Sequence, residues 1–309
     1  MFFLLECGIS GSGKSTHAYY MKNTFLEPVE IVSSDSIREE LYGNESIQGD
    51  ANKIFRIMLA RTKQYLGEGK SVIYDATNLS DRRRINLLKD LEKFDCTKWC
   101  HVLIVDPRMC SENQKLRSRH VDDEIIYRQV KQFRPPHKSE GWDVITMDIY
   151  APENEEELID YFHKKLVGFD QHNPNHSLSL YDHMQAAMEY AYNYSRLVHF
   201  AAAWHDFGKL MTQTFDDNKI AHYYSHENVS AYYWLLFNAS SFNLSDAFSF
   251  SANVEDNEDF YTSLDIAWLI AHHMDFFKDE KYLEKVRARA GEYLYNELVH
   301  LHECDMKAH

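Results

Sequence analysis

The 309-residue chain contains no run approaching the roughly 20 apolar residues needed to cross a bilayer. Its apolar start, "MFFLLEC", lacks a basic lead and runs straight into a glycine loop. It therefore reads as a first strand and not as a signal, and the expected location is cytoplasmic, with no membrane partner. Five cysteines, Cys7, Cys96, Cys100, Cys110 and Cys304, include no C-x-x-C pair. An odd number without that spacing suits reduced thiols better than a disulfide framework. Positive charge is also scarce, with 33 Lys+Arg against 48 Asp+Glu and a net charge of −15. Such a balance argues against a protein that coats nucleic acid by bulk electrostatics. Internal repeats and low-complexity tracts are absent from the sequence.

What is present divides into two parts. Residues 1–168 hold 24 Lys+Arg against 27 Asp+Glu, whereas residues 169–309 hold 9 against 21 and carry 12 of the 17 histidines. In the first part "FFLLEC", "VEIVSS", "SVIYDA" and "HVLIVD" read as strands separated by helical patterns, the signature of βαβ units and a parallel sheet. "APENEEELIDYFHKKL" reads as a helix, with acidic residues at its start and lysines near its end. The polar stretch "GFDQHNPNHSLS" marks the boundary. Beyond it every periodic segment is helical. The chain is thus expected to be an α/β domain over 1–168, a parallel sheet flanked by helices, followed by a separate all-α domain over 169–309.

"GISGSGKST" matches G-x-x-x-x-G-K-[ST] after a strand and at the opening of a helix. Gly8, Ser10, Gly11, Ser12, Gly13, Lys14, Ser15 and Thr16 form the expected nucleotide-binding set. The glycines let backbone N–H groups wrap phosphates, Lys14 reaches the β/γ-phosphates of ATP, and the Ser15 hydroxyl ligates Mg²⁺. Ligands of such sheets sit at the carboxyl ends of the strands. Asp35 follows strand two, where a carboxylate accepts a proton from an attacking hydroxyl, and Arg38, one turn on, suits an anionic acceptor. Asp75 ends another strand and is followed by Thr77, Asn78 and the basic run Arg82 to Arg84, a set placed to meet acceptor or metal. Arg117 and Arg119 lie where a lid would close over ATP, and spacing does not choose between them.

Taken together, "GSGKST", "SSDSIREELYG", "YDATNL", "LRSRHVDDEII" and "F..P...EGWD" resemble the 5′-hydroxyl polynucleotide kinases of phage and bacterial RNA-repair systems. This resemblance implies a P-loop kinase fold with Asp35 as general base on a 5′-OH. It further implies that Arg38 binds the acceptor's phosphate and that the lid arginines grip the donor.

In the acidic part His183, the pair His205–Asp206, His226, the pair His272–His273 and Asp305 lie on different helical segments. Imidazole and carboxylate together suit Mn, Fe, Ni or Zn, and carboxylate with water suits Mg. The pattern "H…HD-x-GK…HE-x-x-SA…HH…D" resembles the HD phosphohydrolase superfamily. That resemblance implies a first metal, Mg²⁺, Mn²⁺ or another transition ion, on His183, His205, Asp206 and Asp305. A second would use His226 and His273, or less favourably His272. Lys209 and His176 become phosphate contacts.

Joined, the halves imply an enzyme that heals nucleic-acid ends: it phosphorylates a 5′-OH and hydrolyses a 2′,3′-cyclic or 3′-phosphate. RNA or DNA ends would be its substrates and a ligase its functional partner. Two alternatives fit the same motifs: a nucleoside or sugar kinase joined to a nucleotidase, and a nucleotide-sensing regulatory protein.

Overall fold

Continuous apolar runs make strands that can be buried on both faces, and each of the six residues of β1 (Phe2–Cys7) is buried. The computed structural model describes residues 1–115, 121–151, 155–173, 177–238 and 257–308. β1 is followed by α1 (Lys14–Thr24), β2 (Val29–Ser33), α2 (Ser34–Tyr42), α3 (Ala51–Gly67) and β3 (Ser71–Asp75). Then come α4 (Asp81–Asp90), β4 (Thr97–Val105), α5 (Pro107–Lys115), α6 (Asp123–Gln132) and β5 (Val144–Tyr150). The five strands are parallel, in the order β2-β3-β1-β4-β5.

Phe2 and Leu4 of β1, with Val29 and Ile73, pack against Ala18 and Met21 of α1. Full burial of one such side chain is worth about 1.5–3 kcal/mol, which seats α1 firmly on the sheet. Two strand readings need amending. β4 begins four residues before "HVLIVD", because Phe2 pairs with Thr97 at the start of β1. β5 is not among the expected strands; it is a sheet edge in which Ile145 alone is buried and Asp148 and Tyr150 are exposed, so no continuous apolar run announces it.

The second unit is helical: α7 (Glu155–Val167), α8 (Leu180–Tyr190), α9 (Arg196–Trp204), α10 (Lys209–Thr212), α11 (His226–Asn238), α12 (Asn257–His272) and α13 (Glu280–Lys307). The all-α expectation is amended by a small hairpin of β6 (Thr214–Phe215) and β7 (Ala221–His222). α13 bends where Gly291 adopts φ 78° and ψ 164°.

The two compact units are Met1–Gln129 with Pro136–Tyr150, and Val130–Pro135 with Ala151–His309. The division therefore falls at residue 150, earlier than 168, and the reason is packing. Phe162 of α7 lies within ring-contact distance of Phe207, Tyr233 and Phe237, which makes α7 part of the helical core. Among the described residues no helix is long and apolar enough to cross a membrane. All five cysteines are buried free thiols.

Candidate active sites

The glycine loop connects β1 to α1. Gly11 and Gly13 have φ values of +85° and +94°, a region where side chains with a Cβ are strained. A Cβ on Gly11 would also lie 2.5 Å from the carbonyl oxygen of Cys110. α5 and α6 grip the loop's outer side: Asn113 Nδ2 donates to the Gly11 carbonyl (3.0 Å), and Gln129 Oε1 accepts from Ser10 N (2.7 Å). Lys14 is 8% exposed and donates to the Ile9 carbonyl (2.6 Å) and Ser12 Oγ (3.3 Å), folding back over the cradle. Burial lowers its pKa, opposed by the charge of Asp75. The N-terminal amides of α1, the lysine and the Ser15 hydroxyl make a site fitted to phosphate and Mg²⁺.

At the strand ends, Ser33 caps α2 by accepting from Asp35 N, which leaves the Asp35 carboxylate to Arg38. Arg38 Nη1 lies 2.5 Å from Asp35 Oδ1. Asp75 accepts from Ser15 Oγ at 2.9 Å, so β3 delivers a carboxylate to the first turn of α1. Its pKa is raised, mainly by burial. Asn78, expected at the acceptor, instead turns inward: its Nδ2 donates to the Glu6 carbonyl (2.7 Å) and to the Ala76 carbonyl (3.3 Å). Thr77 uses its carbonyl to hold Gly8 N at 3.1 Å. Of the basic run, Arg84 faces neither solvent nor phosphate; it is 1% exposed and paired with Glu140. Arg117 and Arg119 lie outside the described residues.

In the helical unit α9 stops at Trp204, and His205 to Gly208 form a turn. "AAAWHDFGKL" is therefore two helices joined by a corner. Gly208 allows the corner to meet α11: a Cβ there would lie 2.2 Å from the His226 carbonyl oxygen. Gly208 N donates to Ser230 Oγ at 2.8 Å. This contact brings His226, the first residue of α11, to Asp206.

Four atoms converge on one point. His183 Nε2 lies 3.1 Å from His205 Nε2, 3.2 Å from Asp206 Oδ2 and 3.2 Å from Asp305 Oδ1. His205 Nε2 is 3.5 Å from Asp206 Oδ2 and 3.4 Å from Asp305 Oδ1. Ligands held about 2.0–2.2 Å from one ion are separated by roughly 3.0–3.5 Å along the edges of its coordination polyhedron, so the spacing fits a divalent cation. The other oxygen of Asp206 makes a second group: Oδ1 is 3.0 Å from His226 Nε2 and 3.7 Å from His273 Nε2, and those nitrogens are 3.2 Å apart. One carboxylate thus serves both.

The outer nitrogens settle the tautomers. Nδ1 of His183, His205, His226 and His273 faces the carbonyls of Ala308 (3.2 Å), Ala202 (2.8 Å), Tyr223 (2.7 Å) and Ile270 (2.7 Å). Each Nδ1 donates, so each ring turns its Nε2 inward, the arrangement of a metal-ligating histidine. Two lone pairs about 3 Å apart repel unless a cation or a proton lies between them. Burial opposes protonation of His183, but Asp206 and Asp305 raise its pKa to about 10. His273 is held to about 3 by burial, then by the charges of His205 and His226. Asp206 is held well below the usual carboxylate range; burial opposes this, and Lys209, His205 and the bonded histidines outweigh it.

His272 points elsewhere, its Nδ1 2.5 Å from Asp275 Oδ2. Lys209 is buried, with Nζ 2.7 Å from Asp206 Oδ2 and 3.0 Å from Gln171 Oε1. It neutralises the cluster and stands beside it, engaged and not pointing to solvent. Gln171 was not foreseen, since a glutamine in a polar linker carries no spacing signal. His176 lies outside the described residues.

Residues 3–136 match the family described as an AAA domain. No curated protein matches the chain. Among solved structures, a chain of the Pnkp1/Rnl/Hen1 RNA repair complex is similar at 22% identity and TM-score 0.39, over 42% of this chain and 43% of that one. A gluconokinase from Sinorhizobium meliloti 1021 is similar at 15% identity and TM-score 0.34, over 47% of this chain and 81% of that one. The chain thus spans less than half the length of the repair-complex chain. With a parallel five-stranded sheet, a phosphate loop after β1 and the matched segment, the first unit is decided. It is a P-loop kinase fold.

The P-loop kinase unit has its own histidine and carboxylate group, and it is built differently. Glu6, fully buried, accepts His17 Nδ1 at 2.7 Å. His17 and His101 stack with centroids 3.8 Å apart and planes 16° from parallel. Lone pairs of stacked rings run side by side and do not converge, so these rotamers do not suit a shared ion. In the helical unit the neighbouring rings stand 5.1–5.2 Å apart at 61–84°.

Proposed function

We propose that the chain is a bifunctional end-healing enzyme: an ATP-dependent kinase of 5′-OH polynucleotide ends joined to a metal-dependent phosphohydrolase of the HD type acting on 2′,3′-cyclic or 3′-phosphate ends. The observation that carries the reading is the presence in one chain of a phosphate loop with Asp35 at the strand ends and, in the other unit, a buried cluster of histidines and carboxylates around Asp206. Domain limits of 1–168 and 169–309 are replaced in this reading by the packing division at residue 150.

In the kinase unit Lys14 and the loop amides bind the phosphates of ATP, and Ser15 with Asp75 would hold Mg²⁺. Asp35 accepts the proton of the attacking hydroxyl while Arg38, paired with Asp35, holds the acceptor's phosphate. In the helical unit His183, His205, Asp206 and Asp305 would hold one divalent ion, and Asp206, His226 and His273 another. Such ions supply Lewis acidity to a phosphoryl oxygen. Lys209 fixes Asp206 and offsets charge on an incoming phosphate. The acidic surroundings favour a terminus over a long duplex, which carries one negative charge per ≈ 1.7 Å of axis. A nucleic-acid ligase would consume the healed ends.

The test is one incubation of a short RNA bearing a 5′-OH and a 2′,3′-cyclic phosphate with ATP and Mg²⁺ or Mn²⁺, with both ends of the product read. The expected product is 5′-phosphorylated with its 3′ end opened or freed of phosphate. Phosphorylation of free nucleosides or sugars in preference to the oligonucleotide would favour small-molecule metabolism instead, and no turnover of either class would favour a sensor.

A further inference from the structure

"EGWD" has no part in the chemistry above, yet its first residue, Glu140, makes the most deeply buried ion pair among the described residues of the P-loop kinase unit. Glu140 closes a 3₁₀ turn, Lys138–Glu140, capped by His137 and ended by Gly141 at φ +106°. Its carboxylate accepts Arg84 Nε at 2.9 Å, Arg84 Nη2 at 2.6 Å and Trp142 Nε1 at 2.9 Å. The remaining arm, Arg84 Nη1, donates to the Asn78 carbonyl at 2.9 Å. Asn78 has φ +50°, one of four non-glycine residues with positive φ among those described. Such a backbone costs energy and persists only where its surroundings over-determine it.

The surroundings do so from three sides. Arg84 holds the Asn78 carbonyl, Asn78 Nδ2 is tied to β1 through the Glu6 carbonyl, and the Thr77 carbonyl holds Gly8 N of the phosphate loop. The turn so fixed begins at Asp75, the residue bonded to Ser15. A buried ion pair is seldom a better core filler than apolar side chains of similar volume. An apolar pair, however, cannot hold a carbonyl.

We propose that Arg84, oriented by Glu140 and Trp142, is a positioning residue for phosphoryl transfer: it locks the Asp75–Asn78 turn against the phosphate loop, so that Asp75 and Ser15 stay in register. This deepens the kinase reading and rests on it.

The test compares wild type, Arg84→Lys and the volume-matched double variant Arg84→Met/Glu140→Leu in thermal melting, ATP affinity and steady-state kinetics on a 5′-OH oligonucleotide. The double variant is expected to stay folded and bind ATP within about twofold of wild type while kcat falls on the order of 10²-fold, the scale of a misplaced catalytic group. Arg84→Lys keeps the charge but lacks the fork for both Glu140 and Asn78, so it should fall between the two. A folded double variant with kcat within about twofold of wild type overturns the proposal, as does a fall in ATP affinity that accounts for the whole loss. If wild type phosphorylates no acceptor, the kinase reading fails separately, and amide exchange at Gly8 decides positioning alone. Faster exchange there in the double variant, with β4 unchanged, supports it, and unchanged exchange refutes it.

Discussion

The two buried groups of histidine and carboxylate use the same side chains and do opposite things with them. Around Asp206 four imidazoles are anchored through Nδ1 on backbone carbonyls and stand edge to face, so their lone pairs meet. Beneath the phosphate loop, His17 spends Nδ1 on Glu6 and lies flat on His101, whose Nδ1 faces Thr146 Oγ1 at 2.9 Å. Composition alone would call both metal sites. What separates them is the partner of the outer nitrogen, which decides where the free lone pair points. The nitrogens and carboxylate oxygens of the first group are spaced as a divalent cation would require, whereas the second group is held by a hydrogen bond and a ring stack.

Removing the shared carboxylate should break that contrast most completely. Asp206→Ala is expected to abolish bound divalent metal in the helical unit, whereas Glu6→Gln should leave the metal content of the protein unchanged; elemental analysis after dialysis distinguishes them. Next in size, His273→Ala should lose one of two metal equivalents, while His272→Ala keeps both and costs about 1–3 kcal/mol in thermal stability for the exposed deficit on Asp275. Equal metal loss in the two variants would contradict the assignment. A methyl group at Gly208 must displace the His226 carbonyl, so Gly208→Ala should destabilise the helical unit by about 1–3 kcal/mol and weaken its metal affinity.

The smallest effect concerns the stacked pair. Burial, then the charge of His17, hold the pKa of His101 at about 3. An imidazole depressed from about 6.5 takes up its proton on unfolding, so it favours the unfolded chain as pH falls. The P-loop kinase unit should therefore lose stability between about pH 6.5 and 3, at up to about 1.4 kcal/mol per pH unit from this group. His101→Leu should flatten that limb of the pH–stability curve, and an unchanged slope would reassign it.

How much of this could be read from residues alone depended on range. The phosphate loop, Asp35 and Arg38 are local patterns in which spacing is geometry, and the structure places them together at the ends of β1 and β2. His183, His205, Asp206, His226, His273 and Asp305 are spread over more than a hundred residues, yet each sits at a helix end or on one buried face, and they converge. Arg84 misled because it stands in a basic run; its partner Glu140 is 56 positions away, and no periodicity links them. β5 was hidden by its edge position, and α7 was assigned to the wrong unit because its own pattern does not reveal that Phe162 packs on Phe207. The corner at His205–Gly208 was masked by apolar residues on both sides that suit a continuous helix equally well.

The most direct measurement follows both ends of one RNA, with a 5′-OH and a 2′,3′-cyclic phosphate, through wild type, Asp35→Ala and Asp206→Ala. The prediction is a clean separation: Asp35→Ala processes only the 3′ end, and Asp206→Ala phosphorylates only the 5′ end. Loss of both activities in either variant, or of neither, would contradict two independent phosphate sites in one chain.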